Sequence, residues 1–576
     1  MSAIRNSLIV SFIKRSQKLS ENHLTRIRFV ENGKTKQIAK YICKPMMSRS
    51  FYMFMFFILL LAINQSSVFA WTPPIGIPTP PWPANLDIAR PTLPSPWTSD
   101  KTGYYFIQTS GCSDSRTYGN PTAPRCSIPT SPSAGSVIVI NGTISGSKTI
   151  SYNGTSSSPI WIMGYNPASK PTLTAYWDFT GSYLIADSLA WNYNARDGVG
   201  ISGNHNMVRN CSMANPSDDS NGAGFATDGK YIVFYKNVVS QFGNWQYTGS
   251  TDIDRHGFKV VDNASDIWIL DSQFYHCHGD GVQVGDENVL PSQINRVYIG
   301  RNIAYENYQS GFWTKNATDV IFSQNLVHDM HTATEFGVGQ GIGGQYDPNY
   351  VWFINNIVRN SLVGIHIAGT SNGGGGPWYV IGNLIYNIKY SDNYCSNYES
   401  GAIGYRNDGG FTAIYNTVYN SDIFVAIPYG SGGELRIANN IFSIKDSSSH
   451  NCTAMSVDPT WIHDYNLVSD ASWVAEAHEK SESAASSFIA PGSNFALNAS
   501  SLAVGNGNPA DEAAFAAFQS RYGIDIRKDI LGTTRPQATK WDIGAYEYRA
   551  QSTTLPTPTI SNIYELLMRD GDGTKN

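Results

Sequence analysis

Residues 298–328 read YIGRNIAYENYQSGFWTKNATDVIFSQNLVH, and one short pattern begins in them twice. A β-branched or aromatic stretch runs into a central asparagine, Asn302 and then Asn325, and between the two a polar turn leads to Gly311 and an alternating apolar stretch. Alternation with period two marks a strand with one face in a core and the other outside it. Working outward, the first half recurs as MVRNCSM, FYKNVVS, ILDSQFY, FINNIVR, VIGNLIY, IYNTVYN and IANNIFS. The second half recurs as HGFKVVD, DGVQVGD, QGIGGQY, VGIHIAG and SGAIGYR. The central positions Asn210, Asn237, Asn302, Asn325, Asn356, Asn383, Asn416 and Asn440, with Ser272 in place of one, follow at intervals of roughly 23 to 35 residues. That period signals a solenoid, in which single rungs bury nothing and stacked rungs bury a continuous core. Stacked asparagine side chains satisfy one another and nearby backbone groups, so this column belongs to the scaffold.

The bulk numbers agree with an all-β chain. Of 576 residues, 41% are hydrophobic and only 15% charged, enough to build a large core. Fifty-two glycines and 33 tyrosines favour turns and strands over helices. A net charge of −5 with no long basic stripe in the folded part argues against nucleic acid as a partner.

Residues 51–63, FYMFMFFILLLAI, are too short a run to span a membrane comfortably and end in small residues up to Ala70. They predict a signal peptide cleaved near Ala70, hence a secreted or periplasmic protein that meets the membrane only through that signal; a retained signal anchor is the alternative. The 45 residues upstream make a long basic lead, which admits translation starts at Met46, Met47 or Met53. After the N-terminal extension and signal (1–70), residues 71–100 are too rich in proline for helix or central strand and read as an extended lead-in. The folded body spans 101–549 and a tail 550–576. In an exported chain Cys112 and Cys126 pair across a loop, Cys395 with Cys452 is a weaker pairing, and Cys211 and Cys277 read as buried thiols. A monomer is expected.

The repeat, together with GYYFIQTSGCSDSRTYGNPTAPRCSIP before SPSAGSVIVINGTI and DILGTTRPQATKWDIGAYEY near the end, resembles the right-handed parallel β-helix proteins of the pectate-lyase-like superfamily. The resemblance covers most of 101–548. It implies a single large right-handed parallel β-helix that acts on polysaccharides, but the scaffold hosts several chemistries, so activity has to come from the site.

Aligning the second half-units on Gly257, Gly281, Gly311, Gly341, Gly364 and Gly401 places Lys259, Gln283, Trp313, Gly343, His366 and Ile403 in one outward column, neighbours about 4.8 Å apart. Lysine, glutamine, tryptophan and histidine there suit a sugar chain, with Lys315 beside them: a flat ring for stacking, donors for hydroxyls and a cation for a carboxylate. Exposed lysine or glutamine on a strand is equally ordinary surface. Aligning on the asparagines gives the following turn residues His276, Glu306, Asp329, Asn360, Asn387 and Asn420; the last three read as plain turns, the first three as the mouth of the wall. Five of eleven histidines, His256, His276, His278, His328 and His331, fall in this part of the chain.

Three chemistries compete. In the first, Asp280, Glu306 and Asp329 hold Ca²⁺, which neutralises a uronate carboxylate while Lys259, with His276, His278 and Asp280 nearby, acts as base in β-elimination. The family resemblance implies a lysine or arginine base with calcium, although the clustered aspartates of calcium-dependent pectate lyases are missing. In the second, two carboxylates hydrolyse a glycosidic bond, without the NTD and DD signatures of the β-helix polygalacturonases. In the third, histidines bind a transition metal, which the HCH and HDMH spacings do not match. A non-catalytic carbohydrate-binding or adhesion β-helix is the alternative from another class. The stretch HCHGDGVQVGD (276–286) that opens this region also reads as a tight turn in which Gly281 relieves crowding.

Overall fold

The computed structural model describes residues 71–549 except 193–197, 216–220, 248–252, 331–338, 369–374, 390–400, 407–408, 422–423, 427–433, 445–460, 472–473, 475 and 538, together with two short strands near residue 30. The signal region, the tail and the Cys395–Cys452 pairing lie outside the described residues. Met1–Ala70 and Trp71–Asn576 form separate compact units.

In the second unit the alternating stretches become three long parallel sheets. One rung runs from Ser310–Lys315 in the third sheet to Thr318–Ser323 in the first and Leu326–His328 in the second, then returns to Gln340–Gln345 beside its starting strand. Fourteen described strands stack in the first sheet, fourteen in the second and eleven in the third. Parallel strands joined by such crossovers wind right-handed, so the chain is an all-β right-handed parallel β-helix.

The corner between the first and second sheets is made by one residue in the left-handed region, for example Arg301 (φ 52°), Gln324 (φ 55°) and Asn355 (φ 53°). The residue after it turns inward and carries the asparagine column. Each asparagine N–H donates to the side-chain oxygen of the next rung, from Asn302 through Asn325, Asn356, Asn383, Asn416 and Asn440 to Asn466, at 2.8–3.0 Å. Each amide group also donates to a main-chain carbonyl of the preceding rung, as Asn356 Nδ2 does to Phe322 O at 3.0 Å. Ser272 holds its rung in the ladder, as read from the sequence. Asn210 does not. It occupies the left-handed corner (φ 53°), and the buried Cys211 takes the ladder position, its N–H donating to Asn237.

The interior holds a continuous apolar cluster from Tyr105 to Val468. Two further clusters close the outside. The lead-in is irregular, as its prolines require, but it is not a free spacer. Ile77, Trp82, Leu86 and Trp97 are buried against the first sheet together with the C-terminal helix Glu512–Tyr522. Polar ties fix it: Trp268 Nε1 donates to Pro78 O at 2.8 Å and Arg209 to Leu86 O at 3.0 Å. The closing segment packs on the second sheet through Ile530, Ile543 and Tyr546. Cys112 and Cys126 form a disulfide, and Cys211 and Cys277 are buried free thiols. The third sheet carries polar columns on its outward positions.

The ladder generates a testable consequence. Asn356→Ala leaves the buried Asn325 N–H without its acceptor, at about 1–3 kcal/mol, and removes the amide hydrogen bond to the Phe322 carbonyl, about 1 kcal/mol more. We expect the denaturant midpoint, followed by circular dichroism, to fall by the equivalent of about 2–4 kcal/mol. An unchanged midpoint would remove the ladder from the account of stability.

Candidate functional site

On the third sheet the glycine preceding each strand is set by crowding. A Cβ on Gly257 would lie 2.7 Å from the carbonyl oxygen of Gly281, and one on Gly281 would lie 2.6 Å from that of Gly311. The residues flanking these glycines line up in columns from rung to rung. The column after the glycine pairs Lys259 with Gln283, Gln283 with Trp313, Trp313 with Gly343 and Gly343 with His366. His366 is followed by Gly404, not Ile403, which is a core residue; the long segment between those rungs shifts the glycine alignment by one position.

The outward direction of this column is not exposure. Gln283, Trp313 and His366 are buried, while Lys259 and Lys315 keep partial access. Trp313 Nε1 donates to Gln345 at 3.1 Å, His366 Nδ1 pairs with Gln340 Oε1 at 3.1 Å, and burial lowers the His366 imidazole to about 4. The Lys259 ammonium is ion-paired with Asp286 Oδ2 at 2.8 Å. Lys315 lies near the Tyr346 ring, 5.9 Å from its centroid.

The column before the glycine was missed in the sequence, although RHG, GDG, QSG and GQG all place a polar residue there. It consists of His256, Asp280, Ser310 and Gln340, stacked rung on rung and all buried. The hydroxyl of Ser310 donates to Asp280 Oδ1, and Gln283 Nε2 donates to Asp280 Oδ2 at 3.2 Å. His256 Nδ1 accepts the Asp280 N–H at 2.9 Å, which leaves the ring proton on Nε2, the nitrogen 3.8 Å from Asp254 Oδ1. Two carboxyl groups thus flank one imidazole, Asp280 Oδ2 being 3.3 Å from Nδ1. Their environments drive them apart. Burial pushes Asp280 up to about 7, although the Ser310 hydrogen bond opposes it. At Asp254 burial also acts upward, but His256, Lys315, Gln309 and Lys259 outweigh it and lower the carboxyl. Burial lowers the His256 imidazole to about 3.

The other residues singled out in the sequence lie at the corner between the second and third sheets. His276, Glu306, Asp329, Asn360, Asn387 and Asn420 all adopt the left-handed conformation, φ 50–56°. Their side chains form a second, outer ladder: His276 Nε2 to Glu306 at 2.7 Å, Asn360 to Asp329 at 2.7 Å and Asn387 to Asn360 at 3.1 Å. Burial would raise Asp329, yet the hydrogen bonds from His328 and Asn360 hold it down at about 2. His276 stacks on Trp245 with centroids 4.3 Å apart. His278 is completely buried between the rings of Tyr247 and Tyr308, so the two histidines do not form an exposed pair.

Asp280 belongs to the inner column, Glu306 and Asp329 to the outer ladder, and each already has protein hydrogen-bond partners. Among the described residues no three histidine, cysteine, aspartate or glutamate side chains are grouped so as to hold a metal ion. The expected calcium ligands therefore do not fit as a set, and no step below passes through a metal.

No protein-family model matches the sequence, and no curated protein matches it. Solved structures do. The alginate lyase AlyGC is 14% identical over 58% of this chain and 49% of its own, with a TM-score of 0.39, so the chain spans about half the length of that lyase. The pectate lyase Pel9A is 15% identical over 77% of this chain and 96% of its own, TM-score 0.36. The chain is a parallel β-helix protein. A lacto-N-biosidase of Eubacterium ramulus has similar values, 15% identity over 63% and 67%, TM-score 0.38.

The β-helix places the opposed pair where linkage reads it. A carboxyl raised on folding loses stability as pH rises from 3.8 to about 7, and an imidazole lowered on folding loses it as pH falls through 6.5. Between those limits the pair holds one proton in both states, on His256 when unfolded and on Asp280 when folded, and the two terms cancel. We expect Asp280→Asn to expose the histidine term, so that its unfolding midpoint falls from pH 7 to pH 4 relative to the unsubstituted protein. Parallel midpoint profiles would contradict the assignment.

Proposed function

We propose that the chain cleaves glycosidic bonds of an acidic polysaccharide laid along the outer face of the third sheet. The observation that carries this reading is one imidazole flanked by two carboxyl groups, Asp280 buried and Asp254 partly exposed, with two lysines beside them. A pair of carboxyl groups pushed to opposite protonation states is what acid–base cleavage requires. Asp280, neutral up to about pH 7, supplies the proton to the glycosidic oxygen as the bond breaks. Asp254, ionised and partly exposed, takes a proton from the attacking group. The two carboxyl oxygens that face His256 are no more than about 9 Å apart, an upper limit within the span of inverting hydrolysis. Lys259 and Lys315 then hold the uronate carboxylates rather than act as base.

The two lysines also favour a second reading, the β-elimination expected from the sequence. Charge neutralisation of a uronate carboxylate acidifies the C5 proton, and the same Asp280 proton serves the leaving oxygen. The routes differ only in whether Asp254 deprotonates water or carbon, and their products differ. Elimination leaves an unsaturated sugar that absorbs in the ultraviolet; hydrolysis leaves a reducing end without it.

The test follows both signals on acidic and neutral polysaccharides, with added Ca²⁺ or with a chelator, using the chain from Trp71 onward. We expect new reducing ends on an acidic polymer, with kcat lowered about a hundredfold or more in Asp254→Asn and in Asp280→Asn. Lys259→Ala and Lys315→Ala should raise KM more than they lower kcat. Ultraviolet absorbance rising with the reducing ends selects elimination. Silence in both channels overturns the enzymatic reading in favour of a binding scaffold.

A further inference from the structure

Trp352, Tyr379, Thr412 and Arg436 occupy one register position on four consecutive strands of the first sheet. Tyr379 lies flat on Trp352, centroids 3.6 Å apart with 4° between the planes. One ring face is thus covered and the ring is held still, and its other face looks toward the rung of Thr412. Rungs are about 4.8 Å apart, so the Tyr379 and Arg436 backbones are separated by about 10 Å. Threonine is too short to fill that gap. Arg436 does not fill it either, because its guanidinium is drawn into an ion pair with the buried Asp511 at the start of the helix Glu512–Tyr522.

What remains is a cavity of about 270 Å³ lined by Tyr379, Thr412, Glu434, Arg436 and Asp511. A second cavity of about 340 Å³, lined by Trp352, Ser520 and Arg521, shares Tyr379 with it. Each is near the lower end of ligand-cleft volumes, the size of a sugar unit rather than of a large cofactor. Charge narrows the class. Arg436 is balanced by Asp511 and Arg521 by Asp319, while Glu434 is an exposed carboxylate. The slot therefore offers no uncompensated cation to an acidic sugar.

We propose that this slot binds neutral hexopyranose units, one ring stacked on Tyr379 and its hydroxyls taken by Thr412, Glu434 and Arg436. A pyranose presents an apolar C–H face to an aromatic ring and polar edges to such side chains. Two cavities joined at one tyrosine accommodate adjacent units of a neutral oligosaccharide. The site lies on a different sheet from the cleavage site and stands or falls without it.

The test is saturation-transfer NMR on the chain from Trp71 onward with cellotetraose, mannotetraose and galactotetraose, and with trigalacturonate as the acidic comparator. At least one neutral tetrasaccharide should bind. Glu434→Ala, at an exposed position, and Thr412→Tyr, which fills the gap, should each weaken that binding tenfold or more, whereas Asp280→Asn should leave it unchanged. Binding of none of the three overturns the proposal. So does wild-type affinity in both variants once circular dichroism shows them folded, or a preference for trigalacturonate.

Discussion

The asparagine ladder is the constraint on which the other features rest. Each ladder asparagine must accept from the main chain of one rung and donate to the main chain of another, and only one backbone geometry at the corner permits both. That requirement holds the preceding residue in the left-handed region even where it is arginine, lysine or glutamine, residues that do not favour it. Because the ladder closes the rungs from Cys211 to Asn466 in the same way, the strands of all three sheets keep register over that length. Columns of side chains then follow automatically, and a site can be built from residues about 25 residues apart in sequence yet adjacent in space.

The third sheet uses this register differently from the other two. Along its glycine column, carbonyl oxygens of the next rung occupy the space a Cβ would need. His256, Asp280 and Ser310 stack beside it on consecutive rungs, buried from water, and that burial pushes the Asp280 carboxyl up and the His256 imidazole down. A buried carboxyl held neutral costs stability unless hydrogen bonds offset it, and Ser310 and Gln283 supply those bonds. On the first sheet the same register places a threonine between a tyrosine and an arginine and leaves a slot. Scaffold regularity and local irregularity together make both candidate sites.

The scaffold was legible because its causes are local and repeated: period-two alternation, the asparagine interval and the glycine before each third-sheet strand. The errors are slips of one residue. Asn210 lies next to the true ladder position because Cys211 replaces asparagine there, and Ile403 lies next to Gly404 because the long segment before it hides the rung boundary. The site was legible only in part. Lys259, Gln283, Trp313 and His366 share a column as the spacing predicts, but their burial depends on side chains from other rungs that no spacing reveals. Asp254 lies outside the repeat, and its pairing with His256 and Asp280 exists only in three dimensions. The carboxylates chosen for calcium share a spacing with their neighbours but are engaged in two separate ladders.

The most direct test of the central claim is a crystal structure of the Asp280→Asn variant soaked with an oligosaccharide of a uronate polymer. The account predicts sugar density along the outer face of the third sheet, with carboxylates at Lys259 and Lys315 and one glycosidic oxygen within reach of residue 280 and Asp254. Density confined to the first or second sheet, or a chain that passes the third sheet without approaching residue 280, would contradict it.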